Sequence, residues 1–346
     1  ALGFLDGAPE RRRKRVRWLA EDVHNFGWSA SPDYIYEGGR WDDIEIRVLY
    51  RPGDDDWANG QALERTKIAL EWYDEIYGDF AWPQLTNLHR IEPGGTEFPM
   101  MIMDGSASQG LILHEVGHNY AMGIVANNEW KEGFLDEGMT SFTTNWYFHE
   151  HGQPDVWART FESLAQWESA GRSQPLVTHS ADFRDFQTYN VMTYTKPSAT
   201  YRMLQVYLGD ERFRAGLRRY YEQNKLRHVT VADFQRAMEE ASGEDLEWFF
   251  DQWFRTTATL DYAIREATAS QAADGRWTTR VTVERSGDAW MPITLRVGDV
   301  EQRLDSRERV QTVEIVTDER PAEAVLDPEF GVIETNRGNN RRAVGS

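Results

Sequence analysis

Apolar and polar residues along the chain fall into three successive textures. Near the start, apolar positions are sparse and short. Residues 16–28 place Val16, Trp18, Val23, Phe26 and Trp28 in an extended segment. Ile44, Ile46 and Val48 alternate with Glu45 and Arg47, the period-2 pattern of a half-buried strand. Pro52-Gly53 followed by three aspartates marks a turn. Over residues 57–77, Ala62, Thr66, Ala69, Leu70, Tyr73, Ile76 and Tyr77 recur at helical spacing. Residues 88–91 and 100–103 read as two more strands, with Pro93-Gly94-Gly95-Thr96-Glu97-Phe98-Pro99 between them.

The second texture is helical. Leu111, Ile112 and Leu113 open a helix with no proline between Ser106 and Ala121, and Gly123 is placed to end it in a left-handed turn. Further helices are expected over 130–149, from a cap at Asp155 to Gly171, and over 182–192, 198–208, 211–221, 231–241 and 245–254. At about Thr257 alternation returns. Trp277, Thr279, Val281 and Val283 form one run, Ile293, Leu295 and Val297 another, and Val313 with Ile315 a third. Asp274-Gly275 and Gly287-Asp288 supply turns. A sheet, then helices, then an all-β sandwich of five to seven short strands makes an α+β chain. The divisions expected are 1–14 as linker, 15–257 as an α+β core, 258–336 as sandwich and 337–346 as a polar, frayed tail.

Chemistry concentrates in the middle. His114-Glu115-Val116-Gly117-His118 sets two imidazoles four residues apart, on one face of a helix. Such a pair holds one Zn²⁺ at tetrahedral angles, and Glu115 beside it is a general base. A third ligand is needed, with a position left for water. Glu137, nineteen residues after His118, is placed to supply it from the next helix. This predicts an α+β metallopeptidase core with one Zn²⁺ per chain. The alternative is a helix with two solvated histidines.

Composition narrows the partners. The net charge of −19 argues against nucleic acid. The absence of cysteine excludes disulfides and thiolate metal sites and leaves the compartment open. No apolar run of eighteen residues exists, so no membrane span is expected. Arg11, Arg12, Arg13, Lys14 and Arg15 form a basic run, read as a linker or a solvated strand start.

The motif in its surroundings resembles the aminopeptidase N family of zinc metallopeptidases, the gluzincins that include leukotriene hydrolase. The likeness rests on the zinc motif followed by Trp130 and Leu135-Asp136-Glu137-Gly138. Gly94-Gly95-Thr96-Glu97-Phe98 resembles the family's Gly-Ala-Met-Glu-Asn exopeptidase signature, with Thr96 for Met and Phe98 for Asn. Tyr194-Thr195-Lys196 resembles its Tyr-Glu-Lys-Gly element, with Pro197 in the glycine position. Phe249-Phe250-Asp251-Gln252-Trp253 is similar to the end of its catalytic domain, and Asn119-Tyr120 stands for its Gln-Trp. The resemblance spans roughly 15–340.

The resemblance implies a zinc aminopeptidase with a thermolysin-like catalytic domain. His114, His118 and Glu137 hold the metal, Glu115 is the base, and Tyr194 donates to the oxyanion. Glu97 binds the free α-amine of the peptide, with Gly95 and Thr96 along the same substrate-binding stretch. Asp136 and Thr140 flank Glu137 as groups to orient it. The family's N-terminal β domain has no counterpart here, so the expectation is a missing domain supplied in cis or by another chain. The competing expectations are a zinc endopeptidase with an open cleft, an epoxide hydrolase, and a catalytically silent peptide-binding scaffold.

Overall fold

The computed structural model describes residues 3–4 and 15–345. Most of the basic run and of the segment read as a linker lies outside the described residues. The chain forms two compact units, one of residues up to 126 with 224–228, the other of 127–223 with the rest. This division does not fall near 257, where the texture of the sequence changes.

The first unit is built on a five-stranded mixed sheet. Its strands are β1 (Ile35–Trp41), β2 (Ile44–Tyr50), β3 (Gln84–His89), β4 (Gly95–Phe98) and β5 (Met101–Asp104), in the order β1-β2-β3-β5-β4. In β2 the alternation buries Ile44, Ile46, Val48 and Tyr50 on one face. β3 is central and buries four residues in a row, as a strand covered on both faces must. β2 and β3 are parallel, and the connection between them is α1 (Gln61–Ile76). Its apolar stripe of Ala62, Ala69, Leu70, Tyr73 and Ile76 is buried. The helix starts four residues later than the spacing predicts, because Gly60 takes a left-handed conformation at its N-cap.

The Tyr73 hydroxyl donates to Leu113 O at 2.8 Å and ties α1 to α2 (Gln109–His118). Ser108 caps α2 by accepting from Leu111 N. Gly123 does not terminate this helix. The chain widens into a π-helical segment, Asn119–Ile124, in which Gly123 lies 3.2 Å, measured from an ideal Cβ, from the Trp82 ring. Its role is close packing. β1 and β4 were not expected as strands. Gly38-Gly39 conceals β1, and turn residues on both sides conceal β4.

In the second unit a helix over 130–149 is replaced by a short turn, Glu129–Glu132, then α3 (Glu137–Glu150), so that Glu137 stands at a helix start. It is followed by α4 (Val156–Ser169), α5 (Lys196–Leu208), α6 (Asp210–Asn224) and α7 (Val231–Ser242). Asp155 sits at the N-cap of α4 without a side-chain capping bond, and Gly171, at φ 62°, follows the helix end. Their core is aromatic: Phe142, Trp146, Trp157, Tyr201, Phe213, Phe234 and Phe254 are buried and meet one another tilted or edge-on.

Seven strands among the described residues then form two sheets. They are β6 (Leu260–Gln271), β7 (Trp277–Gly287), β8 (Ile293–Val297), β9 (Val300–Leu304), β10 (Val310–Thr317), β11 (Glu323–Leu326) and β12 (Arg341–Ala343). One sheet runs β6-β7-β10, the other β9-β8-β11-β12. The tail expected to fray instead adds β12, paired with Glu323–Val325. Arg337 anchors it, with Nη1 2.8 Å from Asp327 and 3.3 Å from Glu334. Burial pushes the Glu334 carboxyl up to about 8 despite the arginine.

Candidate metal centre and substrate-binding strand

The first unit brings together His114, His118, Glu115 and Glu97. The two imidazoles stand one turn apart on α2 with their rings perpendicular and Nε2 atoms 3.0 Å apart. His118 is buried and His114 half-buried, so one edge of the pair stays open. Two ligands held at zinc–nitrogen distances with a tetrahedral angle lie about 3.3 Å apart, so the pair is close to the spacing an ion requires. Glu115 is buried beside it.

β4 runs over this carboxylate. A Cβ added to Gly95 would lie 1.9 Å from Glu115 Oε1. Only glycine fits where the strand crosses the acid. Glu97 is two residues on, hence on the same face, and its carboxylate, that of Glu115 and a His118 nitrogen lie within 4.8 Å of one another. Thr96 faces the other way. Its hydroxyl accepts from Arg90 Nη1 at 2.7 Å, and Arg90 Nη1 also donates to Gly95 O at 2.9 Å. Asn119 Oδ1 accepts from Met100 N at 2.8 Å, which fixes the other end of the β4–β5 hairpin to the helix.

Two residues of this neighbourhood escaped sequence reasoning. Arg90 holds β4 in place, and an arginine five residues before a glycine carries no motif. Asp104 ends β5 directly opposite Gly95 and is fully buried. Burial and then the charge of Glu115 hold its carboxyl well above the usual carboxylate range. An acid closing the apolar run Met100–Met103 was the available signal.

The second unit brings Glu137 and Tyr194 together. Glu137 occupies the first turn of α3. The Tyr194 hydroxyl donates to Glu137 Oε1 at 2.5 Å. Burial, then the charge of Glu137 and this hydrogen bond, raise the phenol far above its ordinary value, so it stays protonated. Asp136, at the N-cap of α3, is buried and accepts from Thr140 N through its backbone carbonyl.

Tyr194 lies in a π-helical segment, Val191–Thr195, that runs into α5. Lys196 forms a buried ion pair with Glu168, Nζ to Oε1 3.0 Å, and Glu168 also accepts from Ser173 Oγ. A Cβ on Gly138 would come 2.6 Å from Pro197 Cβ. The proline is thus packed against the glycine that follows Glu137, and this contact seats α5 on α3.

The peptidase family M1 domain matches over residues 100–253. Aminopeptidase N of Escherichia coli K12 is 29% identical over 160 residues, 45% of this chain and 18% of that protein. Aminopeptidase N of Streptomyces lividans is 22% identical over 247 residues, 62% of this chain and 28% of the relative. A probable aminopeptidase 2 of Sulfurisphaera tokodaii is 23% identical over 219 residues, 56% and 28% of the two chains. The chain therefore spans about a quarter of the length of the curated relatives it matches. Among solved structures, aminopeptidase A of Legionella pneumophila in complex with aspartic acid superposes with a TM-score of 0.67 at 16% identity, covering 87% of this chain and 37% of that one.

The fold is that of a metallopeptidase catalytic domain followed by a β domain. Residues 100–253 match the peptidase family M1 domain, and the relatives the chain resembles include aminopeptidases N. Among the described residues no helix is long and apolar enough to cross a membrane.

Proposed function

We propose that this chain carries the catalytic part of a zinc-dependent aminopeptidase that removes the first residue of peptides with a free N-terminus. The observation that carries the reading is the pair of Nε2 atoms on α2, set 3.0 Å apart beside a buried glutamate that β4 covers with a glycine. His114, His118 and Glu137 would hold the ion, the two-imidazole, one-carboxylate donor set of catalytic zinc. When bound, zinc polarises a carbonyl and makes water acidic enough to lose a proton near neutral pH.

The chain's own residues do the rest. Glu115 takes the proton from the attacking water and delivers it to the leaving amine nitrogen. The protonated Tyr194 hydroxyl, held on Glu137 in this structure, is available to donate to the carbonyl oxygen as it gains charge. Glu97 offers its carboxylate to the α-ammonium of the substrate, which sets the cut at the first bond. Arg90 holds the strand that presents it.

The test is Glu115→Gln, assayed on an aminoacyl anilide with metal content measured in the same sample. Zinc near one per chain with turnover down by about 10²–10⁴ is expected. Near-normal turnover would remove Glu115 from its role, and absence of zinc from the wild type would favour a silent scaffold. N-acetylation of the substrate should abolish cleavage; equal rates with and without the acetyl group would make the protein an endopeptidase.

A further inference from the structure

Trp130 and Phe186 of the second unit are 66% and 78% exposed. Large aromatic rings left in water are seldom idle when they share a concave surface. These two border one open cleft of about 590 Å³, with Phe183, Tyr189, Glu129 and Asp185. Ser180 Oγ donates to Glu129 O at 3.0 Å and joins two of its walls. Trp130 stacks on His179. Tyr189 stacks on Phe186 and meets Phe183 edge-on. It also meets Tyr194 edge-on, with ring centroids 6.5 Å apart. An aromatic wall therefore leads from the cleft to the tyrosine assigned to the oxyanion.

The charges in the lining are of one sign. Glu129 and Asp185 contribute carboxylates, and among the described residues no lysine or arginine lines the cleft. Asp185 accepts from Thr188 N, which holds it ionised. Arg172 and Arg184 act on the Asp185 charge from outside the lining, and each has a partner of its own. Arg172 donates to Gln187 and lies 3.8 Å over the Trp167 ring, and Arg184 donates to Gln174.

We propose that this cleft is a side-chain subsite that takes a cationic residue, lysine or arginine, of the peptide substrate. Ring faces attract a cation, the carboxylates balance its charge, and the aliphatic stem of either residue packs along the rings. The inference rests on the peptidase reading above and adds the substrate class to it.

The test uses the zinc-loaded full chain and tetra-alanine amides in which lysine, norleucine, phenylalanine or glutamate is moved through the first three positions. At one position lysine should exceed norleucine in kcat/KM by about tenfold, with glutamate below both. Glu129→Gln combined with Phe186→Ala should cut that advantage, taken as the ratio of lysine to norleucine kcat/KM on the same variant, to under about threefold. Asp185 is left in place because it caps a helix. Phenylalanine equal to or above lysine, no position favouring lysine, or an advantage that survives the double variant would each overturn the proposal.

A second measurement needs no turnover: calorimetric binding of lysine amide and norleucine amide to the metal-depleted chain. Tighter binding of lysine amide that the double variant abolishes supports the cleft, and equal binding overturns it. Turnover of the anilide without a lysine preference sinks only the cleft. A lysine preference in binding without any turnover sinks only the peptidase.

Discussion

Removing one partner of the Lys196–Glu168 pair should destabilise the protein far more than removing both. The two side chains are 2% and 4% exposed with Nζ and Oε1 3.0 Å apart. At an effective dielectric constant near 20, charges at that distance attract by about 5.5 kcal/mol. Desolvation consumes much of this, so the pair itself contributes little net stability. Glu168→Gln keeps the shape and the acceptor for Ser173 but strands the ammonium, and Lys196→Met strands the carboxylate. Each should cost about 3–5 kcal/mol. Glu168→Met with Lys196→Met should recover to within about 1 kcal/mol of the wild type. Urea unfolding followed by tryptophan fluorescence reads these losses as shifts in midpoint at constant slope. Single variants that lose less than about 1 kcal/mol, or a double variant no better than the singles, would refute the reasoning. Lys196 starts the helix after Tyr194, so the singles should also lose turnover below their melting range.

Gly95→Ala should abolish turnover while leaving zinc bound, because the new methyl occupies the space of the Glu115 carboxylate; anilide kinetics with metal analysis checks it. Tyr194→Phe should lower kcat by about 10²–10³ with little change in KM, the loss of one oxyanion donor, read from steady-state kinetics. Glu334 gives a pH dependence of stability. Its folded-state value, about 8, lies above that of an exposed glutamate, so the folded chain holds a proton that the unfolded chain releases. The stabilisation is complete below about pH 4.5 and lost as pH rises toward 8, with a magnitude on the order of a few kcal/mol. Glu334→Gln should flatten that slope in thermal melts between pH 5 and 8; an unchanged slope would assign it to other groups.

The pairing of His114 with His118 was legible because its spacing is local: four residues of helix bring the imidazoles together whatever the surroundings. Strand β2 was legible for the same reason, since alternation needs only one buried face. β4 was not. Its glycine is dictated by the Glu115 side chain, which lies twenty residues away in sequence, and its ends look like a loop. The π-helical turn after His118 was read as a glycine stop, because a glycine that packs on an indole and one that takes positive φ look alike in sequence. Arg341–Ala343 is charged and short, and it becomes a strand only because Glu323–Val325 offers an open edge. The ligand and base assignments drew on motif order, whereas Arg90 and Asp104 emerged only from the register of β4 against β5.

Within the first unit, Val125–Ala126 pair in parallel with Arg227–His228, and Leu226 N donates to Ile124 O. The polypeptide must therefore leave this unit, make about a hundred residues of the other, and come back to finish the first. At ordinary synthesis rates that is a delay of roughly 5–20 s. The histidine helix emerges from the ribosome long before the segment that flanks its far end exists. Nascent chains halted before Arg227 should therefore leave the backbone at Val125 and Ala126 open to proteolysis that the finished protein resists.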